Sequence, residues 1–438
     1  MSKAIYALFG TAVILSLPMT ALATDGVIDS GDTSFVFIAA ALVFIMIPGL
    51  AFFYGGMSRK KNSLNTMMMS FILMSLITIQ WIIYGFSLAF GPDHGHFIGN
   101  LLFLGFNNVG AAPNATYAGT IPFALFAMYQ MMFAVITPAL ISGAVAGRMR
   151  FTAFIAFAFL WSTLVYDPLA HWVWGANGWL RNLGVLDFAG GIVVHISSGI
   201  AALVLVLVLG QRKGFKLKNM SPHNIPLTLI GGGLLWFGWF GFNGGSALAA
   251  NGIAINAFVA TDASAAAALL SWVIIETFHR GKPTMMGAIT GAVVGLAAIT
   301  PSAGYVSVIS ALIIGLVVSP LCYFFITYVK FKLGYDDALD AFGCHGIGCI
   351  WGVLATGLFA SKAVNPAGAN GLFFGNPAQL GIQAIAVVVT IAFSGTMSFI
   401  IIKAISIFIR LRENETVEED GMDFSQHGES AYPDMSNE

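Results

Sequence analysis

Residues 187–200 read Asp-Phe-Ala-Gly-Gly-Ile-Val-Val-His-Ile-Ser-Ser-Gly-Ile, and the apolar run 201–209 follows directly. Asp187 and His195 thus stand eight positions apart at the head of a segment apolar enough to cross a membrane. The same idea recurs near the other end of the chain. Asp337 and Asp340 precede His345 in Ala-Phe-Gly-Cys-His-Gly-Ile-Gly-Cys-Ile-Trp-Gly (341–352), and His345 again lies eight after Asp337. An ionisable group in hydrocarbon costs roughly 2.5–3.5 kcal/mol on insertion scales. Two histidines, each backed by an acid, therefore read as lining one polar path.

Composition agrees. The chain has 438 residues, of which 58% are hydrophobic and 9% charged, against about 25% charged in a soluble domain. Such a chain cannot cover a water-facing surface. Its repeated apolar runs of helix length make it a polytopic, all-α membrane protein rather than a barrel. The 50 glycines point to close helix packing through small residues. Nothing in the charge pattern points to nucleic acid. The three cysteines, Cys322, Cys344 and Cys349, show no zinc spacing and read as small buried hydrophobes.

Residues 1–23 look like a cleaved secretory signal: Lys3, an apolar core, then Ala21-Leu22-Ala23. Eleven further spans are predicted, at about 33–57, 63–90, 120–146, 151–173, 188–210, 226–247, 253–278, 284–300, 304–329, 340–360 and 378–409. Alternate connections hold the basic residues: Arg59 to Lys61, Arg148 and Arg150, Arg212 to Lys218, Arg280 and Lys282, Lys330 and Lys332. Arg410 and Arg412 follow the last span. The opposite connections hold only Arg181 and Lys362. By the positive-inside rule the basic face is cytoplasmic, the mature N-terminus outside and the C-terminus inside. The divisions are a leader (1–23), a membrane domain (24–411) and a cytoplasmic tail (412–438). The acidic, polar tail reads as unable to form a core. The outer loop 91–119, with Asp93-His94-Gly95-His96, reads as solvated and flexible rather than metal-binding.

Spans one to five and six to ten read as two halves. Each holds an odd number of spans, so the second is inverted. Asp187 then lies at the outer end of its helix, and Asp337 and Asp340 at the inner end of theirs. Inverted repeats place a site near the midplane, where the two histidines would meet. Aromatic residues near the outer ends, Phe133, Trp174 and Phe242, offer ring faces to a cation. Ser246 offers a hydroxyl that accepts a hydrogen bond from a protonated one. No serine elbow, phosphate loop or HExxH is present, so hydrolytic, nucleotide and zincin chemistry lack support and no cofactor is expected.

These residues resemble the ammonium transporters of the Amt/Rh superfamily, over essentially the whole mature chain. The resemblance is carried by Asp-Phe-Ala-Gly-Gly-Ile-Val-Val-His (187–195), Gly-Trp-Phe-Gly-Phe-Asn-Gly-Gly-Ser (238–246), Asp-Ala-Phe-Gly-Cys-His-Gly (340–346) and the tail segment 421–432. It implies eleven helices about a pseudo-twofold axis, assembled as a homotrimer with one pore per subunit. It implies an outer ammonium site of Trp174, Ser246 and Phe133, a stacked gate of Phe133 and Phe242, and a twin-histidine pore of His195 and His345. Asp187 would organise the vestibule and help deprotonation. Methylammonium would serve as an analogue, and a PII signalling protein would dock at the tail. Trp174 and Ser246 favour the Amt branch. Cys344 and Tyr129 depart from the commoner residues at their positions. The expectation is an inner-membrane transporter, not an enzyme; the rival readings are an ammonium sensor signalling through its tail and a membrane enzyme using the histidines.

Overall fold

The computed structural model describes residues 26–215 and 220–432. The proposed leader, 1–23, lies outside the described residues, as do Lys216 and Lys218 of one basic cluster. Among the described residues, ten helices are long and apolar enough to span a membrane, and an eleventh, Met285–Ile299, is shorter. In order they are Ser30–Met57, Lys60–Phe90, Phe123–Val145, Phe151–Leu183, Gly191–Leu209, Ile225–Ala247, Gly252–Arg280, Met285–Ile299, Val308–Leu333, Phe342–Phe359 and Pro377–Phe408. These are spans 1 to 11, within a few residues of the predicted positions except at the end of span 4, which runs on through the short helix Trp179–Leu183.

Glycine sets how closely the spans approach. A Cβ on Gly56 would lie 2.6 Å from the Thr228 nitrogen, and one on Gly49 3.0 Å from Leu234 Cβ, so spans 1 and 6 touch backbone to backbone. Spans 5 and 10 cross at Gly199, where a Cβ would sit 2.6 Å from Gly346 Cα. Without a hydrophobic drive between helices in lipid, such contact is a main source of attraction. Gly199→Ala is expected to force these backbones apart at a cost of about 1–3 kcal/mol. Its melting temperature in detergent should fall, and an unchanged value would show that the crossing yields.

The two halves share a local device. Asp187 accepts hydrogen bonds from the amides of Gly191 and Ile192, four and five residues on, at 2.6 and 2.9 Å. Asp337 accepts from Ala341 and Phe342, again four and five on, at 3.1 and 2.8 Å. Each acid caps a six-residue π-helical turn, Gly191–Ile196 or Phe342–Ile347, and each turn carries its histidine. π turns gather at functional positions. Span 3 links the two ends: Gln130 and Phe133 line the same recess as Asp187, while Ala144 accepts from the Ala338 amide beside Asp337.

Two expectations are corrected. The loop 91–122 is built from two hairpins, Asp93–His94 with Ile98–Gly99 and Pro113–Asn114 with Ala118–Pro122. Asp93 is pinned by buried His171, 2.9 Å away on span 4, and accepts from the His96 amide at 3.2 Å. The acid and histidine thus tie the loop down, and among the described residues no cluster of three suitable ligands could hold a metal.

The tail is docked as well. It forms helices Glu415–Asp420 and Met422–His427, and Met422 is fully buried. Asp423 receives the amides of Leu64 and Asn65 at 3.1 and 2.8 Å, capping the first turns of span 2. Arg412 pairs with Glu418. The tail's acids match a helix N-terminus and surface arginines, so it folds by charge complementarity without an apolar core of its own. On the same face, burial would raise the Asp336 carboxyl, but hydrogen bonds and charge from Arg212, with Arg148 behind, hold it below the usual range.

Candidate functional site

A recess of about 460 Å³ opens at the Asp187 end, lined by Phe133, Trp174, Asp187 and Ser246 among others. The long helical run of span 4 breaks after Trp174, whose indole N–H donates to the Asp187 carbonyl at 2.9 Å. That bond fixes the ring plane against the head of span 5. Phe133 lies edge-on to it, centroids 6.0 Å apart at 80°. Ser246 sits in the 3-10 turn Gly245–Ala247, and its hydroxyl donates to the Phe242 carbonyl at 2.8 Å. Its lone pairs remain for a protonated guest. Two aromatic rings and one hydroxyl oxygen suit a small cation.

Asp187 supports this recess from behind. Its carboxylate takes four backbone amides, those of Gly190 to Val193, at 2.6–3.2 Å. Gly190 at φ 113° makes the sharp entry that lets these amides converge. Its lone pairs are thus engaged by the backbone rather than turned into the recess.

Below the recess Phe133 and Phe242 meet with centroids 4.4 Å apart. They are tilted by 45°, not stacked in parallel as expected. Tyr129 fixes this pair: its hydroxyl lies 2.9 Å from the carbonyls of both Gly241 and Phe242 and 3.3 Å from Ser246 Oγ. The phenol that departs from the family pattern thus ties the Phe133–Phe242 pair to the serine.

Past the gate lies His195, stacked on His345 with centroids 5.1 Å apart and planes at 11°. Trp239 covers the other side of His195 at 5.5 Å and is itself held by Thr300. Both ring nitrogens of His195 and Nδ1 of His345 are buried without a partner among the described residues. The adjoining void is about 10 Å³, walled by apolar side chains such as Leu50, Ile136, Leu140 and Val293. That is close to the least space one water needs, so a hydrated ion does not fit. Asp340 and Asp337 lie beyond, at the opposite face, beside Lys330.

The sequence singled out Phe133, Trp174, Asp187, His195, Phe242, Ser246 and His345, but not Trp239 against His195. It did not find Tyr129 as a strut, nor Tyr117, Arg181 and Tyr305 in the recess wall. Arg181 donates to the Trp174 carbonyl at 2.7 Å; its place as the one arginine of the outer connections, which are otherwise poor in basic residues, was the available signal.

Known proteins resemble this chain over most of its length. The model of the Ammonium Transporter Family matches residues 34–432. An ammonium transporter of Bacillus subtilis is 52% identical over 404 residues, covering 92% of this chain and 99% of that one. The crystal structure of Saccharomyces cerevisiae Mep2 superimposes with a TM-score of 0.84 at 36% identity, covering 91% and 97%. A solved structure titled Sensor Amt Protein gives a TM-score of 0.84 at 29% identity, covering 91% and 98%.

Proposed function

This chain belongs to the ammonium transporter family, and from that premise we propose a route in which the ion is held outside and a neutral molecule crosses. Ammonium settles against Trp174 and Phe133 with a hydrogen bond to Ser246. The negative charge of Asp187 draws it there. The tilted gate of Phe133 and Phe242 and the narrow void beyond cannot take a hydrated cation, so a proton leaves at the gate. Ammonia passes His195 and His345, whose free ring nitrogens exchange hydrogen bonds with it. The proton crosses by its own steps, with the same histidines as its carriers.

The single observation behind this reading is the abrupt change along one line, from a recess of about 460 Å³ rich in cation-binding groups to a dry void of about 10 Å³ at paired imidazoles. The membrane is the inner one, with the basic face cytoplasmic. Residues 24–411 form the transport domain, assembled as a homotrimer, and 412–438 a regulatory tail that a PII protein engages. The exposed apolar belt of the outer spans supports burial in lipid and against neighbouring subunits.

Proteoliposomes under an ammonium gradient test the reading. Parent protein should give ammonium-dependent uptake or current; saturable binding without flux would instead make it a sensor, and consumption of ammonium an enzyme. Trp174→Leu and Ser246→Ala should each raise the half-saturating ammonium concentration about 3- to 10-fold, as expected for losing one contact of about 1 kcal/mol. Competition by methylammonium should weaken in parallel. Parental half-saturation in both variants would show that the cation is held elsewhere.

A further inference from the structure

The two capping acids have unlike surroundings. Beside Asp187 is the open recess. Beside Asp337 is an amine of the protein itself. Lys330 Nζ donates to the Asp337 carbonyl at 3.3 Å and is paired with the Asp340 carboxylate. The lysine side chain is 10% exposed and that of Asp340 21%, so the pair stands at the mouth rather than in solution. Local backbone conformation sets this up. A π turn, Phe325–Val329, immediately precedes Lys330 and resets the face on which the last turn of span 9 presents it. Asp340 is held at φ 61°, a left-handed conformation that a residue with a side chain rarely adopts. Both departures serve to bring one ammonium group against one carboxylate beside the second acid.

We propose that the Lys330 ammonium is a tethered stand-in for the transported cation, filling at the basic face the counterpart of the site that Trp174, Ser246 and Asp187 leave open at the other. The inference rests on the transport reading above. Ammonium arriving from the basic face finds the Asp340 carboxylate and the Asp337 carbonyl already engaged by a primary ammonium group and has no site to saturate. In a passive pore the ratio of maximal flux to half-saturating concentration is the same in both directions without a voltage. The lysine therefore cannot make transport one-way. It sets the concentration at which each face saturates: low at the open recess, high at the occupied mouth.

Right-side-out and inside-out membrane vesicles carrying the full chain separate the two faces. In the parent, flux from the basic face should stay linear over the range in which flux from the opposite face saturates. Lys330→Met should lower half-saturation at the basic face about fivefold, the worth of one cation contact of about 1 kcal/mol, with the opposite face unchanged. Lys330→Arg should keep the parental behaviour at both. An unchanged basic-face value in folded Lys330→Met would overturn the proposal. Should that variant be too unstable for flux, its melting temperature in ammonium chloride against sodium chloride reads the same vacancy. Specific stabilisation by ammonium is expected, and no difference between the salts counts against the stand-in. Absence of ammonium flux in the parent would instead remove the transport reading itself.

Discussion

Asp187→Ala is expected to cut ammonium uptake by about 100-fold or more, the equivalent of roughly 3 kcal/mol at the barrier. Two losses combine. The carboxylate receives four amides at the head of span 5; alanine leaves them unpaired, and losing a cap alone costs about 1–2 kcal/mol. The same change removes the negative charge behind the cation recess. Asp187→Asn separates these effects. Its single carbonyl oxygen accepts part of the set, while its amide group faces the remaining N–H donors, so fold recovers further than charge. Thermal stability should therefore rank parent above Asn above Ala, with uptake low in both variants. Parental uptake by Asp187→Asn would show that the cap matters and the charge does not.

The paired histidines should behave in the opposite way for stability. His195 buries two ring nitrogens and His345 one without partners among the described residues, and an unsatisfied buried polar atom costs about 1–3 kcal/mol. Replacing both by leucine removes that cost, so the double variant is expected to melt no lower than the parent while its ammonium-driven current falls by more than about tenfold. A stabilised but silent protein is the mark of a strained functional pair. One acidic replacement is sharper: His345→Glu should keep some current and admit potassium, because a fixed negative charge lowers the barrier to any small cation. Full, selective ammonium current in the double leucine variant would assign selectivity to Phe133 and Phe242 alone.

Much of this was legible from residue order, for a physical reason. Apolar length and the one-sided basic residues expose each span to reading without tertiary information. The eight-residue spacing from acid to histidine also shows in the sequence, but its cause does not. Asp187 and Asp337 reach amides four and five residues on because the backbone forms π turns, and no residue pattern announces those. Tyr129 looked like a departure from its family; only the fold brings it 112 and 113 residues along the chain to the carbonyls of Gly241 and Phe242. The tail misled for a related reason. Its acids read as solvated, whereas Asp423 had a distant helix terminus to cap. Partners far apart in sequence set both outcomes.

The capped π turns also determine what kinds of genetic change this pore can survive. Each histidine is aimed by counting backbone steps from its acid, not by the side chains between. Apart from Gly190, whose φ of 113° the turn needs, and Asp340, which pairs with Lys330, residues 188–194 and 338–344 can therefore drift in identity within the limits of packing. They cannot drift in length, because deleting or inserting one codon swings the imidazole by about 100° around the helix axis and turns it out of the pair. Innovation in selectivity must come through exchange of residues within a frozen reading distance, in both halves of the chain.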